Sequence, residues 1–167
     1  MIKINEYTKI AVNSLSKKLD DNHPEIRAKA AESLGNIGHE TAIPGLLKAL
    51  EDSHWSVRMK AAEALGNIGS ETAIAGLLKA LEDSYFEVCG YAAEALGKIG
   101  SETAIAGLLK ALEDYRYVRR NAAEALGEIG LEEAIPALIN ALSDEEDSVR
   151  FSATDAIGKI GSRYALT

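Results

Sequence analysis

The chain has a single cysteine, Cys89, among 167 residues. An internal disulfide is therefore excluded, and stability has to come from packing, as expected in a reducing cytosol. Long apolar runs are missing as well: stretches such as residues 73–78 fall far short of the roughly 20 residues a membrane span requires. Residues 1–11 lack the continuous apolar segment of a secretory signal, so a cytoplasmic chain is expected. Positive charge is in deficit, with 18 Lys and Arg against 26 Asp and Glu for a net charge of −8. That balance opposes nucleic acid as a partner, because phosphate binding draws its affinity from clustered cations. Aromatic residues are only 5% of the chain, so where they stand is informative.

What is present is repetition. A Leu-Gly or Ile-Gly pair followed two residues later by Ile-Gly recurs with its first glycine at Gly35, Gly66, Gly97, Gly127 and Gly158. Residues 69–83 and 100–114 are identical, which marks a recent duplication or a consensus-built chain. Each unit reads as two helices. In the first, Ile43, Leu46, Leu47 and Leu50 share one helical face, with Pro44 in the first turn where its missing N–H costs little. In the second, Val57, Ala61, Ala64, Leu65 and Ile68 repeat that period, and the glycines are expected to end the helix. One unit cannot bury both faces, so neighbours must stack. The expected class is all-α, a right-handed α-α superhelix of about five helix pairs. Its repeats are bounded at 12–41, 42–72, 73–103, 104–133 and 134–161. An N-terminal extension or cap occupies 1–11, and 162–167 is the truncated start of a further repeat.

The text Asp-(x)n-Val-Arg-x-x-Ala-Ala-x-Ala-Leu-Gly-x-Ile-Gly resembles the HEAT-like repeats first described in phycobilisome lyases. The resemblance covers residues 12–161. It implies a ladder of turn aspartates and helix arginines, matched here by Asp21, Asp52, Asp83, Asp114 and Asp144 and by Arg27, Arg58, Arg119 and Arg150. In the third repeat Cys89 stands in place of the arginine. Either it is a tolerated gap that weakens this rung, or it is a reactive thiol, which nearby cations would have to activate.

Once core positions are assigned, the side of the second helix opposite the core is left to carry function. That side is where the repeats differ most. Around it cluster Trp55, Tyr85, Phe86, Tyr91, Tyr115, Tyr117 and Phe151, while only Tyr7 and Tyr164 stand elsewhere. Aromatic and arginine side chains dominate interface hot spots. The candidate protein-binding residues are accordingly Trp55, Met59, Glu63, Phe86, Tyr91, Glu94, Arg116, Tyr117, Arg120, Glu124 and Phe151. A competing reading makes the rings a satellite core closing the turns. A carboxylate row at Glu32, Glu63, Glu94, Glu124 and Asp155 crosses the same face, offset by Lys29, Lys60 and Arg120, and favours a basic or mixed-charge partner.

No catalytic, cofactor or metal residues are expected, and the chain is read as a non-catalytic protein-protein interaction scaffold, a monomer or weak end-to-end dimer. Deoxyhypusine hydroxylase, built from similar repeats, carries His-Glu iron ligands where this chain has Ala28-Lys29, Met59-Lys60, Gly90-Tyr91, Arg120-Asn121 and Phe151-Ser152. His23, His39 and His54 fall in turns and loops without metal-ligand spacing. The alternative that the resemblance implies is a subunit or fragment of a phycobilin lyase-like protein whose aromatic face cradles a tetrapyrrole.

Overall fold

A computed structural model describes residues 6–165. Ten α-helices follow one another among them: α1 (Glu6–Lys18), α2 (Pro24–Ile37), α3 (Ile43–Ala49), α4 (Trp55–Ile68), α5 (Ile74–Ala80), α6 (Phe86–Ile99), α7 (Ile105–Ala111), α8 (Arg116–Ile129), α9 (Ile135–Ala141) and α10 (Asp147–Tyr164). Short and long helices alternate, as the two-helix unit predicts. The even helices lie side by side in one layer, and each odd helix packs on the even helix that follows it. This is an α-α superhelix of about five repeats. No strand occurs among the described residues.

The short helices are entered through a 3-10 turn, Glu71–Ala73 before α5 for example, which tightens the chain so that seven helical residues suffice to cross the layer. Their apolar stripe behaves as its spacing requires: Ile43, Leu46, Ala49 and Leu50 are buried. On the long helices Val57, Ala61, Ala62, Ala64 and Leu65 are buried and recur as Val88, Ala92, Ala93, Ala95 and Leu96. The core is made of small and aliphatic side chains, so the layers approach closely.

In the first four pairs the second glycine ends the helix, as expected at Gly69, and the first does not; in the fifth pair Gly158 and Gly161 both lie inside α10. Gly38, Gly69, Gly100 and Gly130 adopt φ between 69° and 77° just past their helices, a left-handed conformation glycine enters without a Cβ clash. The first glycine sits inside the helix against the next repeat. A Cβ at Gly66 would stand 2.7 Å from the Ala95 Cα, and Gly35 and Gly127 meet Ala64 and Ala156 in the same way. Glycine on one even helix and alanine on the next thus set the spacing of the whole layer.

At the ends, α1 begins at Glu6, inside the segment read as an extension. Ser162, Arg163 and Tyr164 continue α10, and Arg163 donates to the carbonyls of Glu128 and Ile129 at 2.9 Å, tying α10 to the end of α8. The first five residues, and Leu166 in the predicted start of a sixth unit, lie outside the described residues.

Candidate functional site

The predicted ladder fixes the starts of α2, α4 and α8, while Arg150 at α10 bonds only within its own repeat, to the Asp144 and Glu145 carbonyls and to Asp147. Arg27 donates from Nε and Nη2 to the Asp52 carboxylate, both at 2.7 Å, and from Nη1 to the Asp21 carbonyl at 2.9 Å. Arg58 repeats this onto Asp83 at 2.6 and 2.9 Å and onto the Asp52 carbonyl at 2.8 Å. Arg119 reaches Asp144 at 2.9 Å and the Asp114 carbonyl at 2.9 Å. Each aspartate also accepts a backbone N–H of its own turn, Asp83 from Tyr85 at 2.9 Å. Burial alone would raise the Asp52 and Asp83 carboxyls, but the arginine hydrogen bonds and these N–H donors outweigh it and hold both below the ordinary aspartate value.

The third rung is interrupted. Cys89 is buried, and its Sγ donates to the Asp83 carbonyl at 3.1 Å, the position an arginine Nη1 takes elsewhere. Burial first, and then the Asp83 charge, pushes the thiol up to about 11. A thiol so shifted is protonated at neutral pH, which answers the reactive-thiol reading: Cys89 fills space.

On the even-helix face the N-terminal and C-terminal repeats differ. In the first two, Lys60 lies 3.3 Å from Glu32 and 2.8 Å from Glu63, and Lys29 pairs with Glu32, so the carboxylate row is closed by cations. From the third repeat onward the row pairs on its own helices, Lys98 to Glu94 at 2.7 Å, Arg120 to Glu124 at 3.8 Å and Lys159 to Asp155 at 3.0 Å, and between α8 and α10 it is also bridged by Lys159 to Glu128 at 2.5 Å and by Ser152 to Glu124 at 2.9 Å. Between these pairs a groove of about 800 Å³ opens across α6, α8 and α10. Gly90 helps to open it: a Cβ there would lie 2.8 Å from the Asn121 amide nitrogen.

Seven of the candidate residues line this groove: Phe86, Tyr91, Glu94, Tyr117, Arg120, Glu124 and Phe151. Trp55, Met59 and Glu63 lie outside it on α4; Trp55 and Met59 are half-buried against the core. Arg116 stands at the rim, 5.1 Å from the Tyr117 ring centroid and 3.4 Å from Glu146. The rings also stack between repeats, Trp55 on Tyr85 at 5.9 Å and Phe86 on Tyr117 at 4.6 Å. The turn-closing reading therefore describes Trp55 and Tyr85, while Phe151 remains 76% exposed in the groove.

The candidate set omits Lys98, Glu128 and Lys159, which also line the groove. Their signal was the variable residue between the two glycines of each repeat. His39 and His54 each accept a backbone N–H, from Thr41 and Ser56, and so serve as turn and helix caps. Among the described residues no group of three or more His, Cys, Asp or Glu is placed to hold a metal ion, and no helix is long and apolar enough to cross a membrane.

Residues 12–93 and 105–167 match the family described as HEAT repeats, and the chain belongs to that family. Residues 88–114 match the PBS lyase HEAT-like repeat. The fold is similar to a chain in the complex of CpcE and CpcF of phycocyanin lyase from Nostoc sp. PCC7120, with a TM-score of 0.79 and 26% identity over 99% of this chain and 68% of that one. It is similar to an engineered protein at a TM-score of 0.63 and 28% identity, over 90% of this chain and 79% of that one. A designed armadillo repeat protein, solved with the peptide (KR)4, shares the fold at a TM-score of 0.67 and 24% identity, over 93% and 86% of the two chains. No curated protein matches the sequence.

These likenesses correct the expectation that the chain is not an enzyme. The repeat at 88–114 is of lyase type and the whole chain superposes on a lyase subunit, which points to a lyase-type function. The expectation rested on missing metal-ligand spacing, which bears on metal-dependent chemistry alone.

Proposed function

We propose that the chain is a subunit of a lyase-type enzyme that holds an open-chain tetrapyrrole in the groove across α6, α8 and α10, and that it works together with a second protein. One observation carries the reading: the groove joins four rings, Phe86, Tyr91, Tyr117 and Phe151, to three cations, Lys98, Arg120 and Lys159, each paired with a carboxylate of the same wall that a propionate would replace, and its first wall is the lyase-type repeat. A conjugated tetrapyrrole offers flat apolar faces to the rings and propionate carboxylates to the cations. The volume falls within the roughly 300–1,000 Å³ of small-molecule sites. The resemblance to one chain of the CpcE and CpcF complex supports a two-protein assembly.

The test is spectroscopic. Titrating a linear tetrapyrrole into the protein should shift and sharpen its visible absorption band to saturation, and Phe151→Ala combined with Arg120→Ala should abolish the change. A band unaltered by the unmutated protein defeats the reading.

A second reading, a protein-binding scaffold, is favoured by the exposed Tyr85 and Tyr115 outside the groove and by the carboxylate row, which suit a basic or mixed-charge surface. Raised salt should then weaken partner capture, and Trp55→Ala with Tyr91→Ala should remove it while the fold stays intact by circular dichroism. Light scattering over a concentration series tests for the end-to-end dimer.

A further inference from the structure

The ladder shows three times what occupies the slot between neighbouring turns: a guanidinium, held by a carbonyl of its own repeat and the carboxylate of the next. Between repeats three and four the same two acceptors are present, the Asp83 carbonyl, which takes the weak Cys89 S–H donor at 3.1 Å, and the Asp114 carboxylate, which takes the Tyr115 N–H at 2.6 Å, and Cys89 is too short to span them. A cavity of about 940 Å³ lies at this place, with Asp83, Cys89, Asp114 and Tyr115 in its wall. In the second rung the Tyr85 ring flanks the Arg58 guanidinium at 5.5 Å, and Tyr115 stands in the wall here. The aspartates differ accordingly. Asp52 and Asp83 have side chains only 12% and 11% exposed under their arginines, whereas Asp114 is exposed. Lys110 in the same wall is engaged at 2.9 Å by Glu82, so it does not supply the missing cation. The negative field left behind is felt by the Cys89 thiol, which both Asp83 and Asp114 help to hold protonated, after burial.

We infer that the interrupted rung is a binding slot for the guanidinium of an arginine side chain presented by a partner protein or peptide. The slot opens at the turn edge and is separate from the groove across the even helices. It does not depend on the tetrapyrrole reading. A carbonyl beside a carboxylate favours guanidinium over ammonium, because the planar guanidinium holds its N–H donors in a fixed fork that can meet both.

The probe is a blocked Gly-Arg-Gly tripeptide, compared with its citrulline counterpart and with the lysine version. Followed by thermal melting and by chemical-shift titration, the arginine peptide should raise the melting temperature saturably and perturb Asp114 and Tyr115, and the other two should not. Asp114→Asn should abolish the response. Cys89→Arg should abolish it too, and should itself raise the melting temperature by closing the ladder from within, while Cys89→Ala should keep the response. Equal responses to arginine and lysine peptides, persistence of the response in Cys89→Arg, or a lowered melting temperature in that variant would each overturn the inference.

Discussion

Repeats one and two carry an unbroken ladder where repeat three breaks it, although the backbone unit is the same and the rung of Arg119 restores it beyond. In the first pair the rungs of Arg27 and Arg58 are complete, and Lys60 ties Glu32 to Glu63 across the even-helix face. Further along, Cys89 interrupts the ladder, the fourth turn binds Asp114 to the next residue's N–H instead of the one after, and a groove opens among rings. In a stack where each repeat touches only its neighbours, stability is a sum of local terms. A regular N-terminal block can therefore stabilise less regular repeats stacked against it. The boundary between the two regimes falls at α6.

The sharpest way to break this comparison is to attack what both regions share. Gly66→Val places its Cβ against the Ala95 backbone, 2.7 Å from the Cα, and backbone cannot step aside as a side chain can. Overpacking of this kind costs about 1–3 kcal/mol, and a clash against backbone belongs at the upper end. At Gly158 a Cβ meets nothing within 4 Å, so Gly158→Ala should stabilise by about 1 kcal/mol through helix propensity alone. Urea unfolding of the two variants measures the contrast. Equal costs would mean that the glycines are not there for close approach.

Next in size comes the ladder. Arg58→Ala leaves Asp83 half-buried without its charged partner, at a cost of about 2–3 kcal/mol. The pH dependence follows from the lowered carboxyls. Despite burial, the arginine partners depress Asp52, Asp83 and Asp144, so these groups contribute stability above the unfolded aspartate pKa of about 3.9, and the contribution is lost as pH falls below that value. Arg58→Ala has already lost Asp83's share, so its stability should differ less between pH 7 and pH 3 than that of the unmutated chain. Acid titration of the unfolding midpoint reads this directly, and parallel curves would show that the rung is electrostatically silent.

These outcomes bear on what the sequence alone could convey. The helix pairs were legible because five copies of one motif leave little freedom, and apolar spacing located Ile43, Leu46, Val57 and Leu65 in the core. The role of Gly66 was not legible, since a glycine near a helix end suggests a stop, and only the neighbouring helix reveals a contact. Angular position around a helix placed Phe86, Tyr91, Tyr117 and Phe151 on one face, and all four line the groove. It could not show that Lys60 reaches back to Glu32 and fills the same face one repeat earlier, because that depends on side-chain reach across repeats. The groove escaped for a related reason: it is a property of several helices together, and no single motif spells it.

The smallest effect on stability should come from the residue with the largest expected effect on function. Phe151 is 76% exposed, and its ring lines the groove on the last long helix. Truncation at such a position changes folding by no more than about 0.5 kcal/mol. Phe151→Ala should therefore melt with the unmutated chain yet lose the tetrapyrrole-induced band shift. Trp55→Ala, in the regular N-terminal block, removes a half-buried ring stacked on Tyr85 and should do the reverse, lowering stability while leaving the shift in place. If instead Phe151→Ala lowered the urea midpoint as much as Trp55→Ala, the rings of the groove would be packing elements like Trp55. The division of the chain into a locked block and a ligand-facing block would then fail.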